Sequence, residues 1–461
     1  EIMRLVLAVA CCTACARGSE QPRQQASSVL RLEHRPHAVS ASRWGEHAGN
    51  ASIEYRRREE ALAVQEELEY DWRRQRRLGG GGSVPVLDPA STTPLFEGIG
   101  THYAHVFVGT PPQRVSVIID TGSHHTAFPC SGCSNCGTHT DPYYDPKKSS
   151  TNRVLACEEC KGGSKCSSKS GGKCEFSQSY TEGSSWKAHQ MEDQFWVGGQ
   201  FVASEPAKTQ GSPLSVPFLF GCQISETGLF RTQKADGIMG LSANSMTLVP
   251  MLQGQHKIAS KTFGLCFMKG GGLMMLGGAD RRAEKEPMTF VPLSKQSTWF
   301  TLRLLDIRMS HEDGAPAKGG SIGAKENAYN TGKGVIVDSG TTDTYLPRQI
   351  ANEFKAKFKR ATKRDYGNVK MTLADQDVEK FPTIYFIFKD SEGQEVPVAM
   401  KPSAYLEHQG ANRYVPRIYL TEGSGAVLGA NFMQDHSVLF DQENGRVGFA
   451  KADCNYDHLL V

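Results

Sequence analysis

Asp120-Thr121-Gly122-Ser123 and Asp338-Ser339-Gly340-Thr341 are two versions of one phrase, set 218 residues apart in a chain of 461. Each follows a β-branched apolar run, Val115 to Ile119 around Ser116 in the first copy and Val335-Ile336-Val337 in the second. Each therefore reads as a buried strand that ends in a carboxylate and enters a tight glycine turn with a hydroxyl beside it. A single Asp-Thr/Ser-Gly is ordinary turn chemistry. Two copies at half-chain separation imply a duplicated lobe that brings two carboxylates together, and paired carboxylates can share one proton and activate water for amide hydrolysis.

The repeat extends past the tetrapeptides. Asp236-Gly237-Ile238-Met239-Gly240-Leu241 follows the first copy, and Ala426-Val427-Leu428-Gly429-Ala430 follows the second. Both contain apolar-apolar-Gly, a strand whose glycine lets another backbone pass closely. The paired motifs resemble the pepsin-like aspartic proteases over roughly residues 96 to 456, with Val438-Leu439-Phe440-Asp441 and Arg446-Val447-Gly448-Phe449-Ala450 as closing strands. The resemblance implies a mostly-β, bilobal fold with an active-site cleft between two related lobes, 96–290 and 291–461. It also implies an aspartic endopeptidase that acts on protein or peptide substrates as a monomer, without metal or organic cofactor. Asp120 and Asp338 would hold the attacking water, one as base and one as acid, with no covalent intermediate. Gly122, Ser123, Gly340 and Thr341 would support the dyad, the two hydroxyls bonding the outer carboxylate oxygens.

Length suits two lobes plus additional segments. A formal net charge of +3 favours neither a nucleic-acid binder nor a binder of acidic substrates, and 47 glycines with many Ser/Thr/Asn turns agree with a β-rich body. Leu5 to Ala16, after Arg4 and closing in Ala14-Cys15-Ala16, reads as a signal peptide over residues 1–16. Residues 17–95 are rich in Arg, Glu, Gln and Ala and contain no lysine. Within them Ile53 to Leu78 is compatible with a helix, ends in Arg73-Arg74-Gln75-Arg76-Arg77 and runs into Gly79 to Gly82. This segment reads as a propeptide whose basic helix covers an acidic cleft; a disordered basic linker is the alternative. It also holds the sequon Asn50-Ala51-Ser52. These features place the protein in the secretory pathway: secreted, vacuolar or lysosomal, or in the lumen of the endoplasmic reticulum or Golgi. No apolar run reaches the roughly 18 residues a membrane span needs, so an anchor is expected, if at all, only past Val461.

Of 13 cysteines, three fall in the signal peptide and ten remain. Seven cluster in an insert over 130–174: Cys130, Cys133, Cys136, Cys157, Cys160, Cys166 and Cys174. Zinc is the rival reading of the Cys-x2-Cys-x2-Cys spacing, but an oxidising compartment favours disulfides. The insert, with Tyr144-Asp145-Pro146 and Ser149-Ser150-Thr151 in order, resembles that of the plasmepsin V and nepenthesin-type branch. That likeness implies that Cys222 joins the seven to make four bridges, while Cys266 and Cys454 resemble positions that pair in β-secretase.

Ser179-Tyr180-Thr181-Glu182-Gly183-Ser184 resembles the family's flap, with Tyr180 closing over substrate and Gly183 in the turn. Ala127 stands where the family's flap-supporting tryptophan usually sits. Glu182 matches an acidic flap residue that meets a substrate arginine in the plasmepsin V branch, and Gly228-Leu229-Phe230 continues that likeness. His124 and His125 read as exposed turn residues that could tune activity near neutral pH, and Ala315 to Lys333 as a surface loop. The rival from another class is a catalytically silent pepsin-fold binding or inhibitor protein. A second rival makes the cysteine-rich insert an adhesion module. The intact pair of motifs favours the enzyme over both.

Overall fold

The computed structural model describes residues 86–461, apart from 169–170, 199–211, 295–296, 313, 315, 317–318 and 460–461. The segments read as a signal peptide and as a basic helix, the glycine run and the sequon lie outside the described residues, as does most of the stretch read as a propeptide.

The β-branched run before Asp120 forms the strand Gln113–Asp120, with Val117 and Ile119 fully buried. It pairs antiparallel with His102–Val108 and parallel with Gly237–Gly240, where Gly240 stands opposite Asp120. Beyond Gly237–Gly240 the sheet continues through Thr126–Ser134, Val216–Thr227, Ser185–Val197, Lys173–Ser179 and Lys165–Ser167. In the other direction it runs through Ser91–Glu97, Gly271–Leu276, Thr262–Met268 and the closing strands His436–Asp441 and Arg446–Lys451, to Thr289–Pro292. One sheet thus carries strands from both halves of the sequence. Ser91–Glu97 pairs with Gly271–Leu276 from Ser91 onward, so this sheet begins inside the stretch read as propeptide.

The second half repeats the core of the first. Val335–Val337 pairs parallel with Ala426–Leu428, as Gln113–Asp120 does with Gly237–Gly240. Each parallel pair is buried on both faces, which is why both strands read as unbroken apolar runs. The two apolar-apolar-Gly motifs end where another backbone crosses. A Cβ on Gly240 would lie 2.6 Å from the carbonyl carbon of His124, and one on Gly429 would lie 2.2 Å from the Asp343 carbonyl oxygen. A four-stranded sheet built around Thr383–Lys389 and the helix Ala351–Thr362, which buries Phe354 and Phe358, complete this lobe. The fold is mostly β, in two related lobes.

Of the segment read as a surface loop, Ala315 to Lys333, the stretch 319–333 is more ordered than its composition suggests. Gly320–Ser321 pairs with Asp306–Ser310, and the turn Glu326–Tyr329 buries Tyr329 completely. A single large aromatic among glycines and lysines anchors the segment, a signal that composition averages away.

All ten cysteines outside the N-terminal segment are in disulfides: Cys130–Cys222, Cys133–Cys136, Cys157–Cys166, Cys160–Cys174 and Cys266–Cys454. The thiols that zinc would need are consumed by this pairing.

Candidate active site

The two tetrapeptide turns face each other. A Cβ on Gly122 would lie 2.7 Å from the Asp338 carboxylate, and one on Gly340 would lie 2.3 Å from Oδ1 of Asp120. Only hydrogen fits at either position, so each glycine is the space through which its lobe admits the other's aspartate. The backbone N–H of Gly122 donates to Asp120 Oδ1 at 2.8 Å and that of Gly340 to Asp338 Oδ1 at 3.0 Å. On the other oxygen, Ser123 Oγ donates to Asp120 Oδ2, and Thr341 Oγ1 to Asp338 Oδ2 at 2.6 Å. Each carboxylate is held at both oxygens by its own turn.

The middle hydroxyls, which the sequence reading passed over, join the turns to each other. Thr121 N–H donates to Ser339 Oγ at 3.0 Å, and Ser339 N–H to Thr121 Oγ1 at 2.9 Å. Each hydroxyl then donates across the lobe boundary, Thr121 to Val337 O at 2.9 Å and Ser339 to Ile119 O at 2.7 Å. All four bonds are buried and reciprocal, so neither turn can shift without breaking its partner's bonds. Their signal was the hydroxyl residue between Asp and Gly in both copies. Behind the first turn, buried Asp236 accepts from Ser116 N at 2.6 Å, from Ser116 Oγ, and from Asp141 N at 2.9 Å, tying the strand beneath Asp120 to its neighbours.

Burial raises the Asp120 carboxyl from the ordinary carboxylate range to about 7, and the Asp338 charge adds to the effect; Ser123 and Gly122 oppose it. Like charges this close do not both ionise readily, so the pair retains a proton into the neutral range.

Tyr180 sits at the end of the hairpin read as the flap, half-buried, with its ring 5.2 Å from that of Phe230. The Trp186 indole N–H donates to its hydroxyl at 3.3 Å. Burial and the Asp120 charge hold the phenol above its usual range. Trp186 was absent from the sequence reading. It stands on the return strand of the flap hairpin, almost completely buried, in one apolar cluster with Ala127, Ala188, Phe230 and Ile238. A small residue at 127 thus accompanies a large one at 186, and the flap tyrosine receives its indole donor from its own hairpin.

Gly183 turns the flap at φ +96, its N–H donating to Tyr180 O at 3.0 Å. Glu182 is exposed at the tip, and its carboxylate accepts from Ser184 Oγ. His124 and His125 are not the exposed turn residues expected. Their rings lie 4.0 Å apart, and His125 packs 4.9 Å from Phe176 and 6.1 Å from Trp186. Burial, then the neighbouring His124, pushes the His125 imidazole down to about 4. Trp299, another residue missed, donates its indole N–H to the Gly122 carbonyl at 2.9 Å.

The sequence profile of the eukaryotic aspartyl proteases matches residues 101–452, a span that contains both turns, the flap and the closing strands. The chain belongs to the eukaryotic aspartyl proteases. Within them it is similar to aspartic protease 5 of Toxoplasma gondii, 32% identical in an alignment of 372 positions that covers 77% of this chain and 36% of that protein. It is also similar to plasmepsin V of Plasmodium falciparum, at 25% identity over 76% of this chain and 72% of that one. Aspartic proteinase 36 of Arabidopsis thaliana is 25% identical over 78% of this chain and 75% of that protein. The chain thus spans about a third of the Toxoplasma protein it matches. As an aspartyl protease it is of a family whose substrates are proteins or peptides. Among its described residues no helix is long and apolar enough to cross a membrane.

Proposed function

We propose that this aspartyl protease is an active endopeptidase that hydrolyses peptide bonds with a water held between Asp120 and Asp338, and that it is made as a secretory-pathway zymogen. The observation that carries the proposal is the pair of carboxylates, each fixed by its own turn and sharing one environment, with a raised affinity for a proton on Asp120. Protonated Asp120 supplies the acid toward the carbonyl oxygen, and ionised Asp338 takes the proton of the attacking water. Five disulfides support an oxidising compartment. The basic segment before residue 95 supports a zymogen, with the processed chain acting as a monomer.

A pH profile tests this assignment. Asp120 must keep its proton, and its carboxyl titrates near 7. Activity on a quenched peptide is therefore expected to fall as pH rises through about 7, roughly tenfold per pH unit beyond it. A profile flat from pH 6 to 9 would exclude Asp120 as the acid, and a purified processed chain that cleaves nothing at any pH would favour the silent binding protein.

The flap adds two expectations. Trp186→Phe keeps an aromatic ring in the cluster, though a smaller one, and removes the donor to Tyr180. One hydrogen bond of ordinary strength is worth about 0.5–1.5 kcal/mol, so kcat/KM should drop by roughly two- to tenfold, alongside a lowered melting temperature from the space the smaller ring leaves in the cluster. An unchanged kcat/KM would mean that the indole does not position the tyrosine. Glu182, exposed at the tip, is proposed to swing from Ser184 to a substrate guanidinium when the flap closes, since a carboxylate binds that group in a bidentate fashion that lysine cannot copy. In a series with Arg, Lys or Ala upstream of the scissile bond, Arg should gain about 1–3 kcal/mol over Ala in transition-state binding. Glu182→Ala should erase most of that gain; an Arg preference that survives the substitution would remove Glu182 from substrate recognition.

A further inference from the structure

The cysteine-rich insert builds a notch of about 690 Å³ next to the candidate site. Its walls include His125, Gly162, Lys165, Phe176, Ser177 and Lys187, together with the carboxylate of Glu175. His125 is two residues past Ser123, so the notch opens where the first catalytic turn leads away from the dyad. Gly162, in the insert's turn, closes the notch beside His125. It packs so tightly that a Cβ there would lie 2.1 Å from Met246 Cε and 3.9 Å from His125 Cε1. The disulfides Cys157–Cys166 and Cys160–Cys174 brace this turn and the short strand Lys165–Ser167.

Strand register gives the notch an open backbone edge. Lys165–Ser167 pairs with Lys173–Ser179 only as far as Lys165 opposite Glu175. On the other side of that strand, Tyr180 N–H bonds Ser184 O, and Gln178 and Phe176 stand opposite Trp186 and Ala188. Alternation along an antiparallel ladder directs the N–H and C=O of Tyr180, Gln178 and Phe176 inward, and those of Ser177 outward. Among the described residues no strand covers Ser177 on that side. An extended peptide can lie there as the continuation of Lys165–Ser167, taking main-chain hydrogen bonds from Ser177.

The charges of the notch specify the peptide. Lys187 is matched by Glu175 at 2.6 Å. Lys165 is exposed and has no ion-pair partner among the described residues. His125, pushed down to about 4, adds no positive charge near neutrality.

We propose that this notch is a substrate subsite remote from the dyad, which binds the flank of the substrate chain as an added strand and selects an acidic side chain there through Lys165. The inference rests on the endopeptidase reading. It assigns to the insert a role in choosing substrates several residues away from the scissile bond.

The test is digestion of a randomised library of 16-residue peptides by the processed chain and by its Lys165→Glu variant, with products read by mass spectrometry. Wild type is expected to enrich Asp and Glu at one register several residues to one side of the cleaved bond. The enrichment should be roughly two- to fivefold, the range an exposed ion pair gives. Lys165→Glu should turn that register to favour Lys and Arg, while an otherwise identical short peptide that ends before the notch is cut equally by both. Absence of any charged register in wild type, or one that is unaltered in the variant, overturns the proposal. Failure of wild type to cut any peptide would instead strike at the endopeptidase reading. Retention of the same library on immobilised Asp120→Asn protein then reads the notch without cleavage. Acidic peptides retained by it and lost from the Asp120→Asn/Lys165→Glu form support the subsite, and equal retention by the two forms counts against it.

Discussion

Asp120→Asn is expected to abolish peptide cleavage and, above neutral pH, to leave the protein more stable than the wild type. The loss of activity follows from the proposed chemistry. Asparagine keeps the size of the side chain but can neither hold nor give up the proton the pair must share, and removal of one general acid or base from such a site costs roughly 10²–10⁴-fold. Asp338→Asn should lose as much, and the double variant little more, because the two groups act as one unit. The gain in stability follows from linkage. Burial lifts the Asp120 carboxyl to about 7 in the folded chain, so the folded state resists its ionisation. The group imposes no penalty below the ordinary unfolded value near 4. The penalty grows as pH rises from there and is complete above about 7. A shift of about three pH units corresponds to about 4 kcal/mol at most, less about 1 kcal/mol for an altered hydrogen bond with Gly122 or Ser123. Melting curves at pH 8 should therefore place the variant above wild type, and curves at pH 4 should bring the two together. Substantial cleavage by either purified variant would refute the dyad; a variant less stable at pH 8 would refute the desolvated, proton-sharing environment.

Removing the Cys266–Cys454 bridge as Cys266→Ala/Cys454→Ala should produce the largest loss of stability available from the cysteines. The two residues are 188 positions apart, and both are buried in a small apolar cluster with Leu273, Met275, Ala283 and Ala452. A crosslink restrains the unfolded chain more as the loop it closes grows, and for a loop of this length the chain-entropy estimate is about 5 kcal/mol. The bridge also joins Thr262–Met268, which pairs with His436–Asp441, to the segment just past the closing strands, so its loss should loosen the sheet shared by both halves. Cys133–Cys136 closes a separation of only 3 residues and should cost far less by the same reasoning. Denaturant midpoints of the two variants check the order. If removing Cys133–Cys136 costs as much as removing Cys266–Cys454, loop length is not what the long bridge contributes.

Much of this molecule is legible in its sequence. The Asp-Thr-Gly-Ser and Asp-Ser-Gly-Thr turns, the apolar runs before them and the apolar-apolar-Gly strands after them are local patterns, set by backbone alternation and by glycine's missing Cβ. Such patterns survive in any fold that buries them, and their repetition at half-chain distance implied two lobes. What the linear pattern withheld were the contacts between distant residues. Thr121 and Ser339 look like ordinary turn hydroxyls until two turns face each other, because their partners lie 218 residues away. Ala127 advertised a missing tryptophan, but nothing along the chain said that Trp186 shares its cluster, since that depends on which strands the sheet sets side by side. His124 and His125 read as exposed because hydropathy does not register an aromatic roof supplied by Phe176 and Trp186. Cysteine parity could be counted, yet four bridges among eight cysteines admit many pairings, and only strand register brings Cys130 beside Cys222. The sequence set the local conformations and the two carboxylates. Topology decided which side chains meet, because a contact across tens or hundreds of residues depends on sheet order and register, which local pattern does not encode.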